Sequence, residues 1–207
     1  MTEILFNSSA FKTSKQINCY KRIMDYKSTD IQLTPLDRKG FLQHRDELVQ
    51  LYLHAFTTGE LAQYIPAETV VETLNELSLR GSGVVALWND KIVGAIYGMP
   101  LAYDNEFPSE RLPEISVDKA VYIAELMVHR DMRGRGVASD LIHTLLENEK
   151  AKGITDAVIR VWDKNKVALN LYKKLGFSEI AEIIQLKIKT DGMTTFSVSK
   201  IYLALRG

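Results

Sequence analysis

A chain of 207 residues, 46% hydrophobic and 25% charged, falls in the ordinary globular range and is long enough to bury one sizeable core without metal or disulfide staples. Lysine plus arginine equal aspartate plus glutamate at 26 each, so no global field draws the protein to nucleic acid or an anionic membrane, and any basic site must be local. Cys19 is the only cysteine, which excludes an intrachain disulfide and a cysteine zinc cluster and fits a reducing cytoplasm.

Residues 1–30 mix Ser, Asn and Lys with scattered hydrophobes and read as an N-terminal extension to a single domain over 31–207. The first stretch lacks a hydrophobic segment of signal-peptide length, and runs such as GVVALW fall far short of a bilayer span, so a soluble, unprocessed cytoplasmic protein is expected. The domain opens on a strand near IQLTPLD. Apolar residues at 41, 48, 51, 52, 55 and 56 approximate a helical face from Phe41 to Phe56, and Val70, Val71, Leu74 and Leu77 repeat it after Pro66. GVVALW, ND and KIVGAIYGM form a hairpin signal, two β-branched runs joined by residues that tolerate positive φ. The 100–120 segment, with three prolines and several carboxylates, is longer than a passive connection and reads as a loop over a site.

A strand over 121–128 follows, then a helix over roughly 136–152. Val137, Leu141 and Leu145 make one apolar stripe of this helix and Ala138, Ile142 and Leu146 its neighbour, with Glu147, Glu149, Lys150 and Lys152 toward the polar end. DAVIRVW is a strand, KVALNLYKKL a short helix stopped by Gly176, and IAEIIQLKI with FSVSKIYLAL a second hairpin about Asp191-Gly192. Antiparallel hairpins with one β-α-β step between them make a mixed α/β sheet and exclude a plain doubly wound one.

The stretch HRDMRGRGVAS, residues 129–139, leaves the apolar strand through charges and two glycines and starts a helix at once. Such glycines are costly at a helix start unless the main chain must approach a ligand closely, and helix-head amides with two nearby arginines favour an anion, here a pyrophosphate. A Walker loop needs Lys followed by Ser or Thr after the glycines, and neither is present. A dinucleotide fingerprint over Gly134, Gly136 and Ser139 lacks the acidic residue at the end of the next strand, since Asp163 lies too far along.

The pattern Arg133, Gly136, Ala138 resembles the acyl-CoA motif of the GNAT superfamily of N-acetyltransferases. The similarity extends over LMVHRDMRGRGVASDLIHTLLENEKAKG and over WDKNKVALNLYKKLGF, where Asn165, Ala168, Tyr172, Gly176 and Phe177 stand at matching spacing. The resemblance implies a mostly antiparallel sheet with a splayed parallel pair and helices on both faces. It also implies acetyl-CoA as cosubstrate, a primary amine as acceptor, and direct attack in a ternary complex. Pantetheine is then expected against the main chain of Leu126, Met127 and Val128, with the Val128 amide polarising the thioester carbonyl. The diphosphate is expected on the amides of Gly134, Arg135, Gly136, Val137, Ala138 and Ser139, with Arg133 and Arg135 adding charge or standing solvated.

Glu125 is the one ionisable residue in VYIAELMV, and alternation puts it on the face of Ile123 and Met127, where desolvation suits a general base; a strand-edge or ion-paired carboxylate is the other reading. Tyr172 resembles the family's general acid, and otherwise is a core tyrosine. Asn165 caps its helix and is expected to touch pantetheine, although capping alone accounts for it. His44, His54, His129 and His143 are scattered without ligand spacing, so no metal is implied. Trp88 and Trp162 read as core or sheet-surface aromatics. Asp104, Glu106, Glu110, Glu114 and Asp118 form either a solvated loop or an acidic rim. A small-molecule amine is the expected acceptor, with a non-catalytic acyl-CoA-binding module or a protein-amine acetyltransferase as alternatives. A monomer and a homodimer through the C-terminal hairpin are both compatible with the sequence.

Overall fold

The computed structural model describes residues 30–59 and 62–207. The expectations for residues 1–29, including Cys19, lie outside the described residues. Strand β1 (Gln32–Leu36) leads into helix α1 (Arg38–Phe56). That helix starts three residues before the expected Phe41, because the Asp37 carboxylate caps it by accepting from the Gly40 amide at 2.7 Å. Helix α2 (Ala67–Arg80) follows Pro66, then β2 (Ser82–Trp88) and β3 (Lys91–Pro100). Asn89 and Asp90 both take positive φ, 50° and 60°, as a two-residue hairpin turn requires.

The remaining elements are β4 (Ala120–Val128), α3 (Val137–Lys150), β5 (Asp156–Trp162), α4 (Lys166–Lys174), β6 (Ser178–Ile188) and β7 (Thr195–Leu205). The seven strands form one sheet in the order β1-β2-β3-β4-β5-β7-β6, antiparallel except for β4 against β5. No helix among the described residues is long and apolar enough to cross a membrane.

The two faces are covered by different helices. Ala95 and Tyr97 of β3 join Leu48, Leu51, Leu74 and Leu77 of α1 and α2 in one core cluster. The intervening Gly94 and Gly98 turn toward α3. A Cβ at Gly98 would lie 2.8 Å from Val121 Cγ2 and 3.1 Å from Leu145 Cδ2, so its lack of a side chain lets α3 seat directly on the sheet. Leu141, Ile142 and Leu145 are fully buried there, and truncating any of them to alanine costs about 2–5 kcal/mol. Glu149, expected at the polar end of this helix, is instead buried, where it accepts from Ser82 Oγ and, at 2.7 Å, from Lys152 Nζ.

Two features of β4 position the site. Its parallel pairing with β5 runs only from Ala120↔Asp156 to Ile123↔Ile159, so beyond Ile123 the two strands part. At that same level, Tyr97 opposes Glu125 while Gly98 opposes Ile123, leaving Ala124 as an unopposed bulge residue. The bulge corrects the simple alternation expected for this strand. Ile123 stays on the α3 face with Gly98, whereas Glu125 and Met127 move to the α1/α2 face with Tyr97 and Ala95.

Candidate active site

The main chain after β4 is shaped by two left-handed glycines, Gly134 at φ +72° and Gly136 at φ +86°. A short helical turn, Arg130–Met132, buries Met132 as an anchor before them, and Val137 is buried just after. Gly136 occupies the N-cap of α3 and offers no side-chain cap. The first helical bond runs from Asp140 N to Gly136 O at 3.0 Å, so the amides of Val137, Ala138 and Ser139 precede it and lack an intrahelical acceptor. With the positive end of the helix dipole behind them, these donors suit a phosphate oxygen. The exposed Arg133 folds back, its Nε donating to Val128 O at 3.3 Å, while Arg135 is half-buried in the same turn.

The register on β3 decides which β4 groups face the opening. His129 N donates to Val93 O at 2.8 Å, which makes that directly opposed couple a hydrogen-bonded pair. Antiparallel couples alternate in type, so Val128 and Leu126 turn their amides and carbonyls away from β3, toward the gap where β5 has departed. Met127 is turned the other way. Its main chain pairs with Ala95 and its side chain is fully buried in the α1/α2 core, so of the three expected residues only Leu126 and Val128 turn their main-chain groups to the gap. Because Val128 O accepts from Arg133, the free group at the strand end is the Val128 N–H.

Glu125 sits beside this opening. Tyr52 of α1 donates its hydroxyl to Glu125 Oε1 at 3.1 Å, and no ion pair holds the carboxylate among the described residues. Burial pushes its pKa up to about 7, against the Tyr52 hydrogen bond and the more distant charges of Lys200, Lys187 and Arg160. A carboxyl so poised changes protonation near neutrality. Tyr52 read from sequence as part of an apolar helical face; the clue to a second role was that a buried phenol needs a partner for its hydroxyl.

Tyr172 is 4% exposed on α4, edge-on to the Phe177 ring at 5.7 Å. Burial first, then the charges of Glu125 and Tyr122, raise its pKa well above the ordinary phenol value, so it remains an O–H donor at any working pH. Asn165 caps α4, its Oδ1 accepting from Ala168 N at 3.2 Å.

The 100–120 segment is packed rather than loosely solvated, although Glu110 and Asp118 remain exposed. Leu101, Phe107, Leu112 and Ile115 bury a small core of their own against Tyr122, Val158 and Tyr202. Arg160 of β5 ties the segment down, donating to Glu106 Oε2 at 2.6 Å, Tyr202 Oη at 2.9 Å and Asp104 Oδ1 at 3.4 Å. Tyr202 in turn donates to Asp104 Oδ2 at 2.7 Å, and Gln185 Nε2 to Glu106 at 2.6–2.7 Å. Glu114 pairs with Arg206 at 3.0 Å. Three of the five expected carboxylates are thus matched by cations.

Two residues outside every sequence expectation also face this side. Lys200 occupies the inward row of β7 between the fully buried Val198 and Tyr202, and Lys187 lies on the same face of β6. Burial, with Lys187 and Arg160 nearby, lowers the Lys200 pKa to about 8, opposed by Glu125 and Glu106. Its signal in the sequence was a lysine in the inward row of an alternating strand. Two of the four histidines expected to be scattered also meet, His54 and His129 stacking at 4.7 Å and 8°.

A sequence model of the acetyltransferase (GNAT) family matches residues 45–177. N-acetyltransferase 8B of Rattus norvegicus is 32% identical over 111 residues, 53% of this chain and 46% of the relative. The chain therefore spans about half the length of the curated relatives it matches. Among solved structures, yncA from Salmonella typhimurium, determined with its cofactor acetyl-CoA, superposes with a TM-score of 0.59 at 15% identity, covering 86% of this chain and 94% of that one. The ribosomal-protein-alanine N-acetyltransferase from Brucella melitensis gives 0.63 at 15% identity, covering 85% and 99%. At such identities these two superpositions speak for the fold.

Proposed function

The chain belongs to the acetyltransferase (GNAT) family, and from that premise we propose that it transfers an acetyl group from acetyl-CoA to a primary amine, by direct attack in a ternary complex, with a small molecule as acceptor. The observation that carries this reading is the free Val128 N–H, directed into the opening between β4 and β5 and flanked by Glu125 on one side and the Gly134–Ser139 turn on the other.

The diphosphate of the cosubstrate sits on the Val137, Ala138 and Ser139 amides, and the pantetheine arm follows the open edge at Leu126 and Val128. Glu125 takes a proton from the acceptor ammonium, directly or through water, and frees the lone pair. The nitrogen attacks the thioester carbonyl, and the Val128 amide receives the developing oxyanion; a fixed donor of this kind contributes roughly 3–4 kcal/mol. As the intermediate collapses, the C–S bond breaks, nitrogen sheds its second proton and sulfur takes up one, leaving an amide and free thiol. Tyr172, held protonated, donates a hydrogen bond to the departing sulfur.

The small acceptor is favoured by a strap across the acceptor side. Tyr64 N, ahead of α2, donates to Ile188 O at the end of β6 at 3.2 Å, and a Cβ at Gly192 in the β6–β7 turn would lie 3.7 Å from the Tyr64 ring. A strap in that place would leave less room for an extended peptide, which supports the smaller acceptor.

The test is a panel of amines with acetyl-CoA, read by thiol release, on the wild type and Tyr172→Phe. Turnover with at least one amine is expected, and the variant should bind coenzyme A normally while kcat falls about 100-fold or more. Coenzyme binding with no thiol release for any acceptor would instead make the protein an acyl-CoA sensor.

A further inference from the structure

Resting on that reading, the geometry points to an anion subsite at Lys200, with Lys187 further along the same face of the neighbouring strand, and so to an acceptor that carries a carboxylate close to its amine. Four strands present one face to the acceptor. Glu125 and Tyr122 come from β4, Arg160 and Trp162 from β5, Lys200 and Tyr202 from β7, and Gln185 and Lys187 from β6, as the registers Trp162↔Lys200, Arg160↔Tyr202 and Ile183↔Lys200 require. The charges on this face are unevenly satisfied. Arg160 is committed to Asp104, Glu106 and Tyr202, and Glu106 is further held by Gln185. Lys200 and Lys187 have neither an ion pair nor a side-chain hydrogen bond among the described residues.

A partly buried lysine in the strand position between fully buried Val198 and Tyr202, with no ion-pair partner among the described residues, is an arrangement that folding alone does not favour, because drawing a charge even partly out of water costs free energy unless a partner compensates. The depressed pKa of Lys200 reports the same cost. Glu125, the proton acceptor, stands two strands away on the same face, past the point at which β5 leaves β4, so the strand axes here lie further apart than the roughly 10 Å of regular pairing. The two charged groups nonetheless lie within each other's field, a spacing suited to a small acceptor that carries both an amine and a carboxylate. A substrate carboxylate on Lys200 would then fix which hydrogen of the ammonium Glu125 meets. The role assigned to Lys200 is therefore positioning and specificity; it takes no proton from the reacting atoms.

The experiment compares initial rates for matched pairs, an α-amino acid against its decarboxylated amine (phenylalanine with phenethylamine, histidine with histamine, ornithine with putrescine), on the wild type, Lys200→Met and Lys200→Arg. The wild type should prefer the carboxylate-bearing member of each pair. In Lys200→Met the KM for that member should rise about ten- to a hundred-fold with kcat nearly unchanged, the decarboxylated amine should be unaffected, and Lys200→Arg should restore part of the difference. A wild type that uses decarboxylated amines as well as or better than amino acids overturns the subsite, even if Lys200→Met fails to fold, while leaving acetyl transfer intact. So does a KM change equal for both members, or acetylation of Lys200 itself found by mass spectrometry after incubation with acetyl-CoA alone. Absence of thiol release with every amine, despite coenzyme binding, would instead count against the catalytic reading beneath it.

Discussion

On the function proposed above, the coenzyme side and the acceptor side of this molecule are built on different principles. From Leu126 to Ser139 the site is nearly contiguous in sequence and made of main chain: a strand edge left open by the departure of β5, two left-handed glycines, and the amides at the head of α3. The acceptor side is assembled from side chains far apart in the chain, Tyr52 on α1, Asp104 and Glu106 after β3, Arg160 on β5, Gln185 and Lys187 on β6, and Lys200 and Tyr202 on β7. A ligand part that never varies, the diphosphate, can be met by backbone donors that no point substitution other than proline removes. A part that differs between acceptors is met by exchangeable side chains.

If that division is right, side-chain changes should be severe on the acceptor half, while on the coenzyme half they should leave coenzyme affinity little changed. The largest effect is expected for Glu125→Gln, which removes the proton acceptor while keeping an oxygen for the Tyr52 hydroxyl: kcat/KM should fall about 10²–10⁴-fold with coenzyme A affinity unchanged. The wild-type rate should climb tenfold per pH unit below about 7 and level off above it, since the base works only when ionised. Stability should move the opposite way. The folded-state pKa lies above the ordinary carboxylate value, so Glu125 favours folding at low pH and that contribution is lost as pH rises through about 7. Glu125→Gln should therefore be more stable than the wild type at pH 8–9, by on the order of 1–3 kcal/mol in denaturant titrations. A full-activity variant would return the base role to another group.

Next in size is Arg160→Met, which leaves the buried Asp104 carboxylate without its cation and should destabilise the domain by about 3–5 kcal/mol. Limited proteolysis should then cut first within 101–119, while coenzyme A affinity holds if the variant is assayed well below its melting temperature. Equal loss on both sides would mean that the two halves are one cooperative network.

The same division explains what could be read from the sequence. Local chemistry was legible: the positive-φ pair Asn89-Asp90, the α3 stripe of Leu141 and Leu145, the Asn165 cap and the glycine turn each depend on residues a few positions apart. The bulge at Ala124 was not, because nothing within AVYIAELMV marks an extra residue; it arises from β3, where Gly98 must face α3 and Tyr97 the opposite core. The Tyr52–Glu125 bond joins residues 73 positions apart and Arg160–Glu106 joins residues 54 apart, pairings that no periodicity reveals. For the same reason the sequence left Asp104, Glu106 and Glu114 open between a solvated loop and an acidic rim, since their cations lie elsewhere in the chain.

The smallest side-chain effect belongs to the measurement on which everything else depends, calorimetric titration of coenzyme A into the wild type and into Arg133→Ala. Main-chain capture by the Val137, Ala138 and Ser139 amides predicts saturable one-to-one binding in the wild type, weakened less than about tenfold when the exposed guanidinium is removed. No heat of association at millimolar coenzyme A, or binding abolished by Arg133→Ala, would contradict it.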